Sequence, residues 1–202
     1  MVNNVRVLNI RECLVHDSGD VLGEDEIQNI LSDFYCELNP DVERFLKEQS
    51  VEFTKKQQSV TYVILDEDTA SSLGYFTLAI KPLSVTLDDF SNTMKKRIAR
   101  VSKVDKNTGK YTFSAYLIAQ LARNFSPRLQ RSFSGHDVLE VAIEQIKEIQ
   151  YMAGGMVYFL EAENHPKLLK FYEDNGFKRF ATKDVERSDG EQHTLVQLLK
   201  IL

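Results

Sequence analysis

An α+β architecture follows from three features of this chain. Apolar residues switch repeatedly between strand-like runs and a spacing of three and four, so strands and helices interleave. Residues 59–65 and 73–80 are β-branched and aromatic, and Asp66-Glu67-Asp68 separates them, which predicts two antiparallel strands joined by an acidic turn. Residues 164–177 read as one capped helix, because Asn164 and Pro166 suit a first turn and Gly176 suits the left-handed position past the last.

The chain opens on a short strand carrying Val5, Val7, Leu8 and Ile10. Gly19 and Gly23 frame a turn, after which Ile27, Ile30, Leu31, Phe34 and Tyr35 predict a helix over 25–37 with one buried stripe. Pro40 starts a second helical stretch that runs to residue 58 and carries Val42, Phe45, Leu46, Val51 and Phe53. The strand pair comes next. Between 82 and 110 the apolar pattern weakens, and Lys95, Lys96, Arg97, Arg100 and Lys103 gather in a segment that predicts a surface helix outside the main sheet. Strand character returns over 111–121, and Pro127 and Gly135 make 125–135 irregular. From His136, Val138, Leu139, Ala142, Ile143, Ile146 and Ile149 step at helical spacing until Gly154-Gly155 stops them. A strand over 156–162, the capped helix and an apolar strand over 194–202 complete the order.

With 202 residues, 43% of them hydrophobic and 27% charged, the chain can bury roughly 70% of its unfolded surface without disulfide or metal. A net charge of -5 argues against whole-surface attraction to nucleic acid or anionic lipid, so any such binding needs a local patch. Cys13 and Cys36 are too far apart for a Cys-x-x-Cys clip, and neither has a histidine at ligand spacing. No metal is expected; reduced, packed thiols of a cytoplasmic protein are. Residues 1–20 lack the continuous apolar core of a secretion signal, and no run has the length of a membrane span.

The string Asn-x-x-x-Leu-x-x-Phe-Tyr-x-x-x-Gly-Phe, from Asn164 to Phe177, resembles the helix and following strand of the GNAT superfamily of N-acetyltransferases. The order of elements resembles that superfamily over essentially the whole chain. The resemblance implies a single domain over 1–202, a mixed central β-sheet with helices on both faces, and a basic helical insertion (about 82–110) between the third and fourth strands. It also implies acetyl-CoA as co-substrate and an amine as acceptor. Gly74-Tyr75-Phe76-Thr77-Leu78, the basic 95–103 segment and Ala119-Gln120-Leu121-Ala122-Arg123-Asn124 are similar to the branch that forms toxins of toxin–antitoxin pairs. That branch implies aminoacyl-tRNA as acceptor, gripped through Lys95 to Lys103, and an antitoxin partner. The alternative is that these cations solvate an exposed face.

On the same resemblance, Gln130-Arg131-Ser132-Phe133-Ser134-Gly135 occupies the Gln/Arg-x-x-Gly-x-Gly/Ala loop that cradles the coenzyme diphosphate at a helix start, with His136 opening the helix. Gln130 and Gly135 match, whereas Phe133 replaces the first glycine, either pointing outward or crowding the phosphates. Leu121, Ala122 and Arg123 lie where the central strand offers backbone groups to the pantetheine arm and thioester, and the N–H groups near Leu121 and Ala122 suit a developing oxyanion. Asn164 either contacts the coenzyme or caps its helix. Tyr172 holds the position of the general acid that protonates the departing thiolate. Glu161 and Glu163 share one strand face, toward the site or toward solvent, and no general base stands out. His136, His165 and His193 are isolated in sequence. Three readings result: an N-acetyltransferase acting on a primary amine, a toxin-like enzyme acting on aminoacyl-tRNA, and a non-catalytic binding module in which Phe133 fills the cradle. A homodimer through the apolar final strand also fits the sequence.

Overall fold

The computed structural model describes residues 4–14, 23–88, 90–186 and 192–202. The turn expected at Gly19 lies outside them. Strands and helices follow the order β1 (Val5–Asn9), α1 (Ile10–Leu14), α2 (Glu24–Ser32), α3 (Pro40–Arg44), α4 (Ser50–Lys55), β2 (Val60–Asp66), β3 (Ser72–Val85), α5 (Asn92–Val101), β4 (Lys103–Val104), β5 (Tyr111–Arg123), α6 (Gly135–Ala153), β6 (Val157–Glu163), α7 (Pro166–Asp174), β7 (Lys178–Glu186) and β8 (Gln192–Ile201). Strands neighbour one another in the order β1-β2-β3-β5-β6-β8-β7, with β4 on β5. The chain divides into two compact units, one of 1–79 with 118–148 and one of 80–117 with 149–202.

In the first unit β2 pairs antiparallel with both β1 and β3, and Asp66 to Ala70 make the turn that the acidic triplet predicts. Asp66 organises that turn: its Oδ1 accepts from Thr69 N (2.9 Å), Thr69 Oγ1 (3.0 Å) and Asp68 N (3.1 Å). Pro40 starts a helix as expected, capped by Asn39, whose Oδ1 accepts from Asp41 N. A π-turn at Phe45–Gln49 links α3 to α4, and one extra residue there keeps Leu46 and Val51 both buried. Ile10, Ile27, Leu31, Phe34, Leu46, Val63 and Tyr75 form the core of this unit. Gly74 sits where a Cβ would lie 2.8 Å from both Ala122 O and Val138 Cγ2, so β3, β5 and α6 approach more closely than a side chain permits.

The second unit packs Leu83, Val85, Phe90, Ile98, Phe113, Val157, Phe159 and Leu199 together. Here β8 pairs antiparallel with β6 on one side and β7 on the other. Ser91 caps α5, accepting from Met94 N, and Ile98 is its buried residue. Gly155 (φ +94) packs so that a Cβ would fall 2.9 Å from the Tyr116 ring, while the Tyr116 hydroxyl donates to Gly154 O. This is why the helix stops at that glycine pair.

Several boundaries differ from expectation. Ile10 begins α1, with Asn9 Oδ1 accepting from Arg11 N, and does not end the first strand. The second helix stops at Ser32; Phe34 is nevertheless buried, beyond the helix. The 82–110 insertion is not wholly outside the sheet: β3 runs on to Val85, and Lys103 and Val104 pair with Thr112 and Tyr111. The cap of α7 is His165, one residue after Asn164.

Candidate functional site

The segment from Arg123 to Gly135 lies in the first unit and starts from a buried amide. Asn124 Oδ1 accepts from Tyr35 N (3.0 Å) and Ser126 N (2.9 Å), its Nδ2 donates to Ser72 O (2.8 Å) and Asp33 O (3.2 Å), and its own N–H donates to Leu73 O (2.8 Å). The end of β5 is thereby fixed to the start of β3 and to the chain after α2. Nothing in the sequence distinguishes this asparagine from a loop residue; its importance comes from tertiary partners alone.

Arg123 spans the loop from end to end. Its guanidinium lies 4.0 Å from the Phe125 ring centroid, and its Nη1 donates to Phe133 O (3.4 Å). Expected to meet the coenzyme, Arg123 here also ties the loop's two ends. Arg131 Nη1 donates to Asn4 O (2.9 Å) and reaches Asp66 Oδ2 (3.4 Å). Hydrogen bonds from Thr69 above all, with Arg131 adding to them, hold the Asp66 carboxyl below the usual carboxylate range. Phe133 does not point outward: it is 3% exposed, with the Arg131 guanidinium 5.9 Å from its ring centroid. Gln130, Ser132, Ser134 and His136 are exposed.

Two clefts adjoin the loop, both within this unit. One of about 310 Å³ is lined by Arg123 to Ser126 and Leu129 to Phe133. The other, about 390 Å³, lies between Asn4, the β2–β3 turn and the stretch from Leu129 to Arg131. At the loop's end Ser134 and Asp137 cap the 19-residue α6 reciprocally. Ser134 N donates to Asp137 Oδ2 (2.7 Å), Ser134 Oγ donates to the same oxygen (2.6 Å), and Asp137 N donates to Ser134 Oγ (3.2 Å). Burial pushes the Asp137 carboxyl up, but the Ser134 hydrogen bonds outweigh it and hold the group below its ordinary value. The sequence signal for this cap is the spacing Ser134-x-x-Asp137.

Leu121 is half-buried and Ala122 is 8% exposed, at the end of β5, where Ala122 O faces the bare backbone of Gly74. In the second unit Asn164 is exposed ahead of α7. Tyr172 is 7% exposed, edge-on to Phe171 (5.0 Å between centroids) and Phe177 (5.7 Å). Gly176 (φ +83) turns the chain so that Phe177 N donates to Tyr172 O, closing the helix and fixing the ring. Among the described residues none takes a hydrogen bond from the Tyr172 hydroxyl, whereas those of Tyr75 and Tyr116 donate to main-chain carbonyls. Burial pushes the Tyr172 phenol up to about 12. Glu161 accepts from Lys183 and Gln197, and Glu163 lies 3.5 Å from His193, which makes them poor candidates for a free base. Among the described residues no cluster has the makings of a metal site, and no helix is long and apolar enough to cross a membrane.

Comparison with protein families and with curated proteins finds no match to the chain. Solved structures do match. A tyrosine-to-phenylalanine variant of KacT aligns with 98% of this chain and 95% of its own, at 17% identity and a TM-score of 0.63. AtaT complexed with acetyl-methionyl-tRNAfMet covers 95% and 93%, at 16% identity and a TM-score of 0.59. An AtaT variant bound to the C-terminus of its antitoxin AtaR and acetyl-CoA covers 98% and 94%, at 16% identity and a TM-score of 0.58. KacT and AtaT are GNAT toxins of toxin–antitoxin systems, and this chain has their fold.

Proposed function

We propose that this chain is an acetyl-CoA-dependent N-acetyltransferase. The observation that carries the reading is the likeness in fold to KacT over 98% of the chain, with a tyrosine at the end of the capped helix whose hydroxyl is uncommitted among the described residues. Gln130 to Gly135, with His136, supplies backbone donors at the start of α6 for the diphosphate, and Arg131, Ser132, Phe133 and Ser134 shape that loop. Arg123 holds the loop closed. The N–H groups of Leu121 and Ala122 serve the thioester carbonyl, and Asn164 serves the coenzyme's arm.

The acceptor nitrogen attacks the carbonyl carbon, a C–N bond forms, and the C–S bond breaks as the oxyanion collapses. The nitrogen then loses a proton and the sulfur gains one. A phenol near 12 facing a thiol of about 8.5 does not surrender its proton outright. Tyr172 therefore donates a hydrogen bond as sulfur acquires charge, and it passes a proton only in step with the proton leaving the acceptor nitrogen.

A second reading names the acceptor: the amino group of aminoacyl-tRNA. It is favoured by AtaT's complex with acetyl-methionyl-tRNAfMet and by the cations of α5, where Lys96, Arg97 and Arg100 are exposed. AtaT's complex with AtaR makes an antitoxin the expected protein partner. Thiol release from acetyl-CoA, measured with simple amines and with bulk charged tRNA, tests both. Release with amines alone supports the enzyme and removes the tRNA acceptor; release with neither, together with no saturable binding of acetyl-CoA, points to the binding module in which Phe133 fills the cradle.

A further inference from the structure

The start of α6 already holds an anion of the protein's own. The Asp137 carboxylate takes both the N–H and the hydroxyl hydrogen bond of Ser134 through one oxygen, at 2.7 Å and 2.6 Å, while the Asp137 N–H is turned onto Ser134 Oγ. A 19-residue helix puts its positive end there. Two anions compete for such donors, and each repels the other.

We propose that Asp137 is an internal competitor of the coenzyme diphosphate, released from Ser134 when coenzyme binds and lowering affinity for it. This inference rests on the acetyltransferase reading and concerns the control of that same site. Asp137 is then an affinity-setting residue: it stabilises the empty helix start through its capping bonds and weakens occupation by phosphate. Stability and affinity are coupled with opposite signs. A carboxylate that only capped the helix would give both the same sign, since a looser helix start makes a poorer cradle.

The test is Asp137→Asn in the full chain, with affinity for CoA and for 3′-dephospho-CoA measured by calorimetry and the melting temperature measured alongside. The expected result is a gain of about 3- to 30-fold in affinity, equal for both ligands, together with a lower melting temperature. A gain for CoA alone would place Asp137 beside the 3′-phosphate and overturn the proposal, as would unchanged or weaker binding of both ligands. No saturable binding by either protein would instead overturn the acetyltransferase reading itself. Binding by the variant where the wild type shows none would support both.

Discussion

Tyr172 and Phe133 show what single residues disclose before and after folding. Tyr172 is legible in the sequence because its neighbours fix a helix of known ends: Pro166 starts it, Gly176 closes it, and the tyrosine falls late on the element. Its buried ring also sets a pH expectation. With the phenol pushed up to about 12, the hydroxyl stays protonated throughout the working range, so activity should rise with pH as the acceptor amine loses its proton and show no fall from tyrosine ionisation below about pH 11. Tyr172→Phe should lower kcat by about 10²- to 10⁴-fold while CoA affinity stays within a few fold; an unchanged kcat removes the residue from the chemistry. Phe133 is ambiguous in sequence because its direction depends on tertiary packing, and the fold turns it inward. Asn124 gives no signal at all, since a buried amide is recognised only by the main-chain groups that surround it.

Among the elements, those with a buried face are readable and those without one are not. Strands β2 and β6 are almost wholly buried; β2 stands out as a β-branched and aromatic run, and β6 opens on the apolar run Val157 to Leu160. Strand β7 is exposed along nearly its whole length, and Lys178 to Glu186 carries no apolar alternation to betray it. Helix α1 has five residues and two buried positions, too few for a period to register. The π-turn shifts the apolar stripe within a segment that still reads as helical, so the stretch is legible and its break is not. Gly74 belongs to this scale because it governs how β3, β5 and α6 approach. Gly74→Ala should destabilise the protein by about 1–3 kcal/mol in denaturant unfolding, through the clash with Ala122 O and Val138 Cγ2. It should also weaken coenzyme binding, because the strand end and helix start that it displaces flank the loop. A neutral effect would mean that the sheet yields there at no cost.

Across the whole molecule, charge is segregated. Residues 81–110 carry eight Lys and Arg against three Asp, inside a chain whose net charge is -5. Pairing Lys96→Glu with Arg100→Glu should raise the apparent KM for charged tRNA by about 10-fold or more, reduce the slope of log affinity against log salt by about 1 for each phosphate no longer neutralised, and leave CoA affinity unchanged. An unaltered KM would mean that these cations only solvate the helix.

Asn124 has a bearing on the order of assembly. Its side chain bonds residues 89 and 91 positions earlier at Tyr35 and Asp33, and one 52 positions earlier at Ser72. Closing such long stretches of chain is entropically slow and is rewarded only once the surrounding core has formed. The loop that begins at this asparagine is thus expected late in folding: a chain still emerging from the ribosome has nothing to anchor it until its first strands and helices have found one another.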